Sequence, residues 1–382
     1  MSNRAGVLSP GMPVARGIST VEPIRGAYTV EVDGIPDETW DAIAATFADI
    51  NPEQTAAYAR NHWKGRDSHL LLKRNGEPVA GARIALIGLP LVGRGLAFLR
   101  FGPFWRKQGE DADPETYRAV IAALIEEYCI IRGYCLTVLP RPHPHYHTQE
   151  SGWLRDLGFA QRRKFEDPER YLVNTVLDDE AQLKSLSQKW RYNLRQALAA
   201  PLDVRLTDDP PEIRSFQALY VSMMERKNFS STTPVHLTGE LITRLPEGMK
   251  PRLAVACYEG RLVAGATVGL FGDTAYYMFG ATSADALPLK AGYALHWWIS
   301  QWLRGQGVQW YDLGGAAHEP GLRQFKKGFV GKGGQIVAME GEFDRWASPF
   351  GRLSADAIFG LRHLKHRIRH GSKFGSLTDR LS

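Results

Sequence analysis

The sequence predicts an α/β protein made of two tandem copies of one unit, each a mixed sheet flanked by helices, with a basic helix after the second. Three observations carry this. A decapeptide recurs: residues 79–88 read VAGARIALIG and residues 263–272 read VAGATVGLFG, an offset of 184 that also carries Gly76 onto Gly260. Self-similarity at a fixed offset marks a repeated structural unit. The same order of elements then follows each copy. Finally, 382 residues at 44% hydrophobic and 23% charged suffice for two globular domains, and exclude a disordered or fibrous chain.

The elements follow in order. Residues 1–26 are polar and rich in Gly and Pro, and are expected as a loose arm. The first unit spans 27–170. A strand, the turn RNGEP and the decapeptide make a β-hairpin. Leu96 to Phe101 continues as a strand. Tyr117 to Ile131 is helical, apolar at Val120, Ala123, Leu124, Tyr128 and Ile131, and stops at Gly133. Tyr134 to Leu139 is the next strand, and LRDLGF (154–159) closes a helix with a turn. The second unit spans 171–345. Its hairpin turns at YEGR, Ala275 to Phe279 is the strand, Tyr293 to Leu303 the helix, Gly305 to Gly307 its cap, and Val308 to Leu313 the last strand.

Residues 346–382 form the tail. Counted from 345, it holds eight Lys or Arg against two Asp, which is the whole net charge of +6; the preceding 344 residues balance at 39 against 39. Leu353, Ala357, Leu361, Leu364 and Ile368 recur there at helical spacing, with Arg362, Lys365 and Arg369 on other faces. Such a helix suits an anionic partner, lipid headgroups or RNA phosphates. The plainer expectation is that it packs on the body and leaves a solvated basic face. Three cysteines with no CxxC pair exclude a disulfide scaffold, and with no apolar span or secretory core the expected place is the cytoplasm.

Two second-unit segments carry candidate chemistry. In KSLSQKWRYNLRQALA (184–199), Lys184, Gln188, Arg191 and Arg195 share one helical face. Arg191 and Arg195 are placed to hold a phosphate or carboxylate, the alternative being an exposed basic face. In WYDLGGAAHEPGLRQFKKGFV (310–330) a strand ends at Leu313, a Gly-Gly pair turns closely, and a short segment delivers Phe325, Lys326 and Lys327. Asp312 stands at the strand end, where α/β folds bind ligands; its simpler task is a hydrogen bond to the turn. There is no GxSxG motif and no cysteine with a suitable partner, so acyl-enzyme chemistry is not expected.

The element order resembles the GNAT acyltransferase fold, whose sheet splays between its fourth and fifth strands to admit the acyl donor. LSQKWRYNLRQA, ERKNF (225–229), YYMFGATS (276–283), YDLGG (311–315) and GLRQFKKGFVG (321–331) together resemble the Fem family of tandem-GNAT aminoacyltransferases that build peptidoglycan cross-bridges. The resemblance implies two tandem GNAT-like domains, an aminoacyl-tRNA donor and an amine on an anionic cell-wall precursor. It implies no metal, no cofactor and no covalent intermediate. It assigns Lys326, beside Phe325, to the acyl transfer, Arg191 to the precursor, and Tyr276 or Tyr277 to the pocket wall.

The chain departs from the family in places. After Gln54-Thr55 the expected lysine is ambiguous, with Lys64 the nearest choice, and the residues after Gly102-Pro103 are Phe104-Trp-Arg-Lys107 where some members place an aspartate. An acyl-CoA donor is the runner-up. Its pyrophosphate loop would be Leu289 to Ala294, with Lys290, Gly292 and Ala294 as contacts. A third reading, from another class, is a non-enzymatic protein binding RNA or a membrane surface through the tail. His143, His145 and His147 alternate in PRPHPHYH, a weak metal signal lacking a carboxylate. Trp298 and Trp302, one helical turn apart, are expected in the core.

Overall fold

The computed structural model describes residues 28–63, 66–88, 95–165, 167–227, 244–316 and 319–371, without the side chains of 362–371. The predicted N-terminal arm, Lys64 and the end of ERKNF lie outside these residues. The first half contributes β1 (Tyr28–Val32), α1 (Asp37–Ala44), α2 (Ala56–His62), β2 (Asp67–Arg74), β3 (Glu77–Gly88), β4 (Gly95–Arg100), α3 (Pro114–Leu124, continued by a π-helical Ile125–Ile131), β5 (Cys135–Leu139), α4 (His147–Asp156) and β6 (Ala160–Arg163). There follow β7 (Glu169–Asn174), α5 (Asp179–Ser185), α6 (Gln188–Ala199), β8 (Leu202–Thr207), α7 (Pro210–Lys227), β9 (Arg252–Tyr258), β10 (Arg261–Phe271) and β11 (Thr274–Thr282). The remainder is α8 (Ala291–Arg304), β12 (Trp310–Asp312), α9 (Pro320–Val330), β13 (Gln335–Ala338), β14 (Glu342–Arg345) and α10 (Pro349–Gly371).

The duplication is visible atom by atom. Asn75-Gly76 and Glu259-Gly260 turn the two hairpins with positive φ, at 53° and 87° and at 49° and 73°. A left-handed pair of this kind matches the twist of the strands it joins. The offset-matched glycines inside the strands also do one job. A Cβ on Gly81 would lie 2.4 Å from the Phe104 ring, and one on Gly265 would lie 2.6 Å from Phe216. Each glycine is the flat spot on which an aromatic ring rests.

Two seven-stranded sheets result, ordered β1-β2-β3-β4-β5-β14-β6 and β8-β9-β10-β11-β12-β7-β13. Written this way they correspond strand for strand in order, with β14 and β7 in the sixth places. β7 leaves the first half to pair between β12 and β13, and β14 returns to pair between β5 and β6. The expected division at 170/171 therefore cuts through β7, and the expected second unit, 171–345, gives its last strand to the first sheet. The reason is pairing energy: a strand placed beside a complementary edge has its N–H and C=O groups satisfied whichever half of the chain it belongs to.

Packing ties the halves further. Trp40, Phe47 and Phe104 share an apolar cluster with Phe271, Tyr276 and Met249. Gly272 brings the β10–β11 turn so close that a Cβ there would lie 2.2 Å from the Ala48 carbonyl oxygen, and the Asp273 N–H donates to that oxygen at 2.8 Å. The Asp273 carboxylate meets Arg106 at 2.7 Å, Arg141 at 3.3 Å and His143 at 3.6 Å. Burial opposes ionisation of Asp273, but Arg141, His143 and Arg106 hold it well below the usual carboxylate range.

Some expectations shift. Residues 184–199 are two helices: Leu186 is extended and the Ser187 hydroxyl caps α6, so Lys184 stands on a different element from Arg191. The histidines serve the fold. Burial lowers His143 to about 4, and His147 bridges the Arg141 carbonyl and the Glu340 N–H at 3.1 Å each. Among the described residues no three potential ligands group around a metal position. Trp298 and Trp302 pack on the second-half core. No described helix is long and apolar enough to cross a membrane.

Candidate active site

The two sheets differ where it matters for a ligand. In the first, β4 and β5 pair in parallel over their length, from Leu96 opposite Cys135 to Arg100 opposite Leu139. In the second, β11 and β12 pair only from Thr274 opposite Trp310 to Tyr276 opposite Asp312. β12 then ends, and β11 runs on to Thr282 with a bulge at Met278, where the register with β10 slips. A wedge opens beyond Tyr276 and Asp312. Open strand ends of this kind, with unpaired backbone groups, are where α/β sheets receive ligands.

Leu313-Gly314-Gly315 leaves the wedge, and Gly314 has φ 77°, which favours glycine. Asp312 is buried and braced: one oxygen accepts the Gly314 N–H at 2.8 Å and the other meets Arg170 of β7 at 2.8 Å. This is the simpler task foreseen for Asp312. α9 then returns across the opening and buries Lys326, which is 5% exposed. Its Nζ donates to the Gly315 carbonyl at 2.7 Å and stands 5.9 Å from the centre of the Tyr277 ring. Burial, with the Arg170 guanidinium, lowers the Lys326 ammonium to about 8 against the pull of Asp312 and Asp167.

The wall is aromatic. His296 of α8 lies 5.1 Å from Tyr277 and 5.4 Å from Phe325 between ring centroids, and its Nδ1 is 3.2 Å from the Tyr311 hydroxyl. Burial, then the charge of Lys326, lowers His296 to about 3, so the ring is neutral at pH 7. Phe325 also packs on Trp190 and Tyr293, and Trp190 stacks on Phe329 at 4.5 Å. Gly280 gives the Tyr277 phenol its seat: a Cβ there would lie 1.8 Å from the hydroxyl.

Strand alternation separates the two tyrosines. Tyr277 faces Lys326. Tyr276 faces the first half, against Phe271 at 5.9 Å, and its hydroxyl is buried without a hydrogen-bond partner among the described residues. Arg191 does not meet them: one guanidinium nitrogen donates to the carbonyls of Lys184 at 3.1 Å and Leu186 at 2.9 Å. Arg195 is exposed on α6. Lys290, with φ 52°, precedes α8, whose start carries no side-chain cap, and Gly292 faces open space while Ala294 is buried.

The first half lacks these features. Asp113 caps α3 by accepting from Glu115 N at 3.0 Å, and Arg74 binds the same carboxylate at 2.9 Å. A carboxylate therefore already occupies the place an anion would take. Gln54 bonds the Arg83 and Arg100 carbonyls at 3.1 and 2.9 Å, so the Gln-Thr pair binds β3 to β4. Of the residues after Pro103, Phe104 and Trp105 are buried and Arg106 holds Asp273.

Residues 184–327 match the family model described as an acetyltransferase (GNAT) domain. The protein is an acyltransferase of the GNAT fold. The matched span includes α6, the wedge and Lys326. Among solved structures, FemX superposes with a TM-score of 0.68 at 17% identity, covering 82% of this chain and 96% of FemX. A conserved protein of unknown function from Bacteroides thetaiotaomicron gives 0.57 at 12%, covering 83% of this chain and 99% of that one. The C-terminal domain of a putative lysylphosphatidylglycerol synthetase from Agrobacterium fabrum gives 0.53 at 16%, covering 84% and 95%. No curated protein matches the chain. The chain carries the tandem GNAT architecture expected of it. His296 and Arg170 had no motif to announce them, and Gly280 sits in YYMFGATS without a role assigned there; a single histidine in an apolar helix reads as core until its neighbours are known.

Proposed function

We propose that the enzyme moves an aminoacyl group from a tRNA ester to an amine of an anionic cell-wall precursor or related envelope glycoconjugate, with Lys326 as the cation beside the reacting carbonyl. The observation that carries this is the buried Lys326 ammonium at the mouth of the wedge. The amine nitrogen attacks the ester carbonyl, a C–N bond forms, the C–O bond breaks, and the released hydroxyl takes the proton the amine gives up. The negative charge on the carbonyl oxygen in between calls for a fixed donor in a dry site. An ammonium has three donors, and Gly315 takes one. The cysteines offer no alternative through a thioester, since burial pushes the Cys129 thiol up to about 12 and raises Cys135 and Cys257 as well.

Aminoacyl transfer draws support from FemX and from a neighbour whose name joins a lysyl group to phosphatidylglycerol. Arg195 and the outer edge of Arg191 give α6 the positive charge an anionic acceptor would meet. An acyl-CoA donor is the second reading, favoured by the uncapped start of α8 at Lys290 and the open space at Gly292. One experiment separates the two. Purified enzyme is given an amine-bearing muropeptide precursor with either mixed charged tRNA or acetyl-CoA, and the product is weighed. An aminoacyl mass increment from tRNA is expected; an acetyl increment, or no transfer from charged tRNA, overturns the reading.

A further inference from the structure

α10 packs on the body through one face. Ser354, Ala355 and Phe359 are buried, the last two in a cluster with Leu96, Phe98 and Cys135 of the first sheet, and Arg163 lies over the Phe359 ring at 3.5 Å. The stripe expected to do this packing does the opposite. Leu353 is 63% exposed, Leu361 is 57% exposed, and Ala357 between them is exposed as well. They follow at i, i+4 and i+8, so they share a face turned away from the sheet. The helix backbone continues to Gly371, and the same spacing runs on in the sequence through Leu364 and Ile368.

Two further observations define what that face meets. Ile130 and Ile131 are 53% and 66% exposed at the end of the π-helical segment. Two residues later, the Gly133 carbonyl lies 3.3 Å from where a Gly351 Cβ would stand, so that segment ends beside the first turn of α10. The charge is equally local, because residues 345–382 carry the entire net charge of +6. An apolar stripe set among Arg and Lys is the pattern of a helix that lies in the boundary of an anionic bilayer, with leucines among the acyl chains and cations at the phosphates. RNA would use the cations and leave the leucines in water. We propose that α10 docks this protein on an anionic phospholipid surface. This rests on the helix alone and holds whichever acyl donor is used.

The test is co-sedimentation of the full chain with large vesicles of phosphatidylcholine alone or with 30% phosphatidylglycerol. Binding to the anionic vesicles, weakened by salt and absent from the neutral ones, is expected. The exposed pair Leu353→Glu and Leu361→Glu should weaken binding at least tenfold, as should Lys365→Glu with Arg369→Glu, each with an unchanged circular dichroism spectrum. Vesicle binding unaltered by the leucine pair overturns the proposal. So does retention of tRNA by the tail with no binding to anionic vesicles.

Discussion

Lys326 is the residue on which the proposed chemistry turns, and its environment makes its behaviour testable. Burial lowers it to about 8, so its charge is held below that pH and lost above it. Activity that needs the cation should fall as the pH rises through about 8, while deprotonation of the acceptor amine supplies the rising limb. Lys326→Met keeps the length and removes the charge. It should lower kcat at least tenfold and abolish the falling limb in a pH–rate profile, with the melting temperature retained. An unchanged profile would remove Lys326 from the reaction. Tyr277 and Tyr276 show why neighbours in sequence need not be partners in function. Adjacent strand residues point to opposite faces, so one reaches the wedge and the other the contact between halves.

At the scale of elements, the repeated decapeptide makes a paired prediction. Gly81 and Gly265 each seat an aromatic ring at a distance no Cβ tolerates. Alanine at either position should cost about 1–3 kcal/mol through forced displacement of Phe104 or Phe216. Chemical denaturation of both variants measures it, and a neutral result at one site would end the equivalence of the two glycines. The loop pair tells the converse story. Asp113 plugs the start of α3, whereas α8 begins without a side-chain cap, so the copies keep one architecture and differ at this loop.

At the scale of the whole molecule, the exchanged strands and the Asp273 cluster make the halves one folding unit. Residues 28–168 expressed alone lack β14, and β5 and β6 lose the strand between them; this fragment should be insoluble or unfolded, and proteolysis or circular dichroism decides it. Asp273→Asn leaves Arg106 and Arg141 buried without that carboxylate, a loss of about 3–5 kcal/mol read from the unfolding midpoint. The sign with pH follows from the lowered carboxylate: its contribution is complete above the ordinary Asp value near 4 and is lost as the pH falls below it.

Much of this was legible from residues alone. The duplication, the hairpins, the strand–helix–strand order and the place of Lys326 after a strand end all rest on local pattern, because turn chemistry and periodicity act over a few residues. Even the basic helix was readable. What the sequence could not determine was partnership across distance. β7 and β14 carry no mark of the sheet they join, Gln54 and Arg106 turn out to brace strands and halves, and Leu353 and Leu361 face outward where their spacing alone left packing on the body and an anionic partner both open. Those outcomes depend on which edge lies nearest when the chain closes on itself, and only packing in three dimensions decides that.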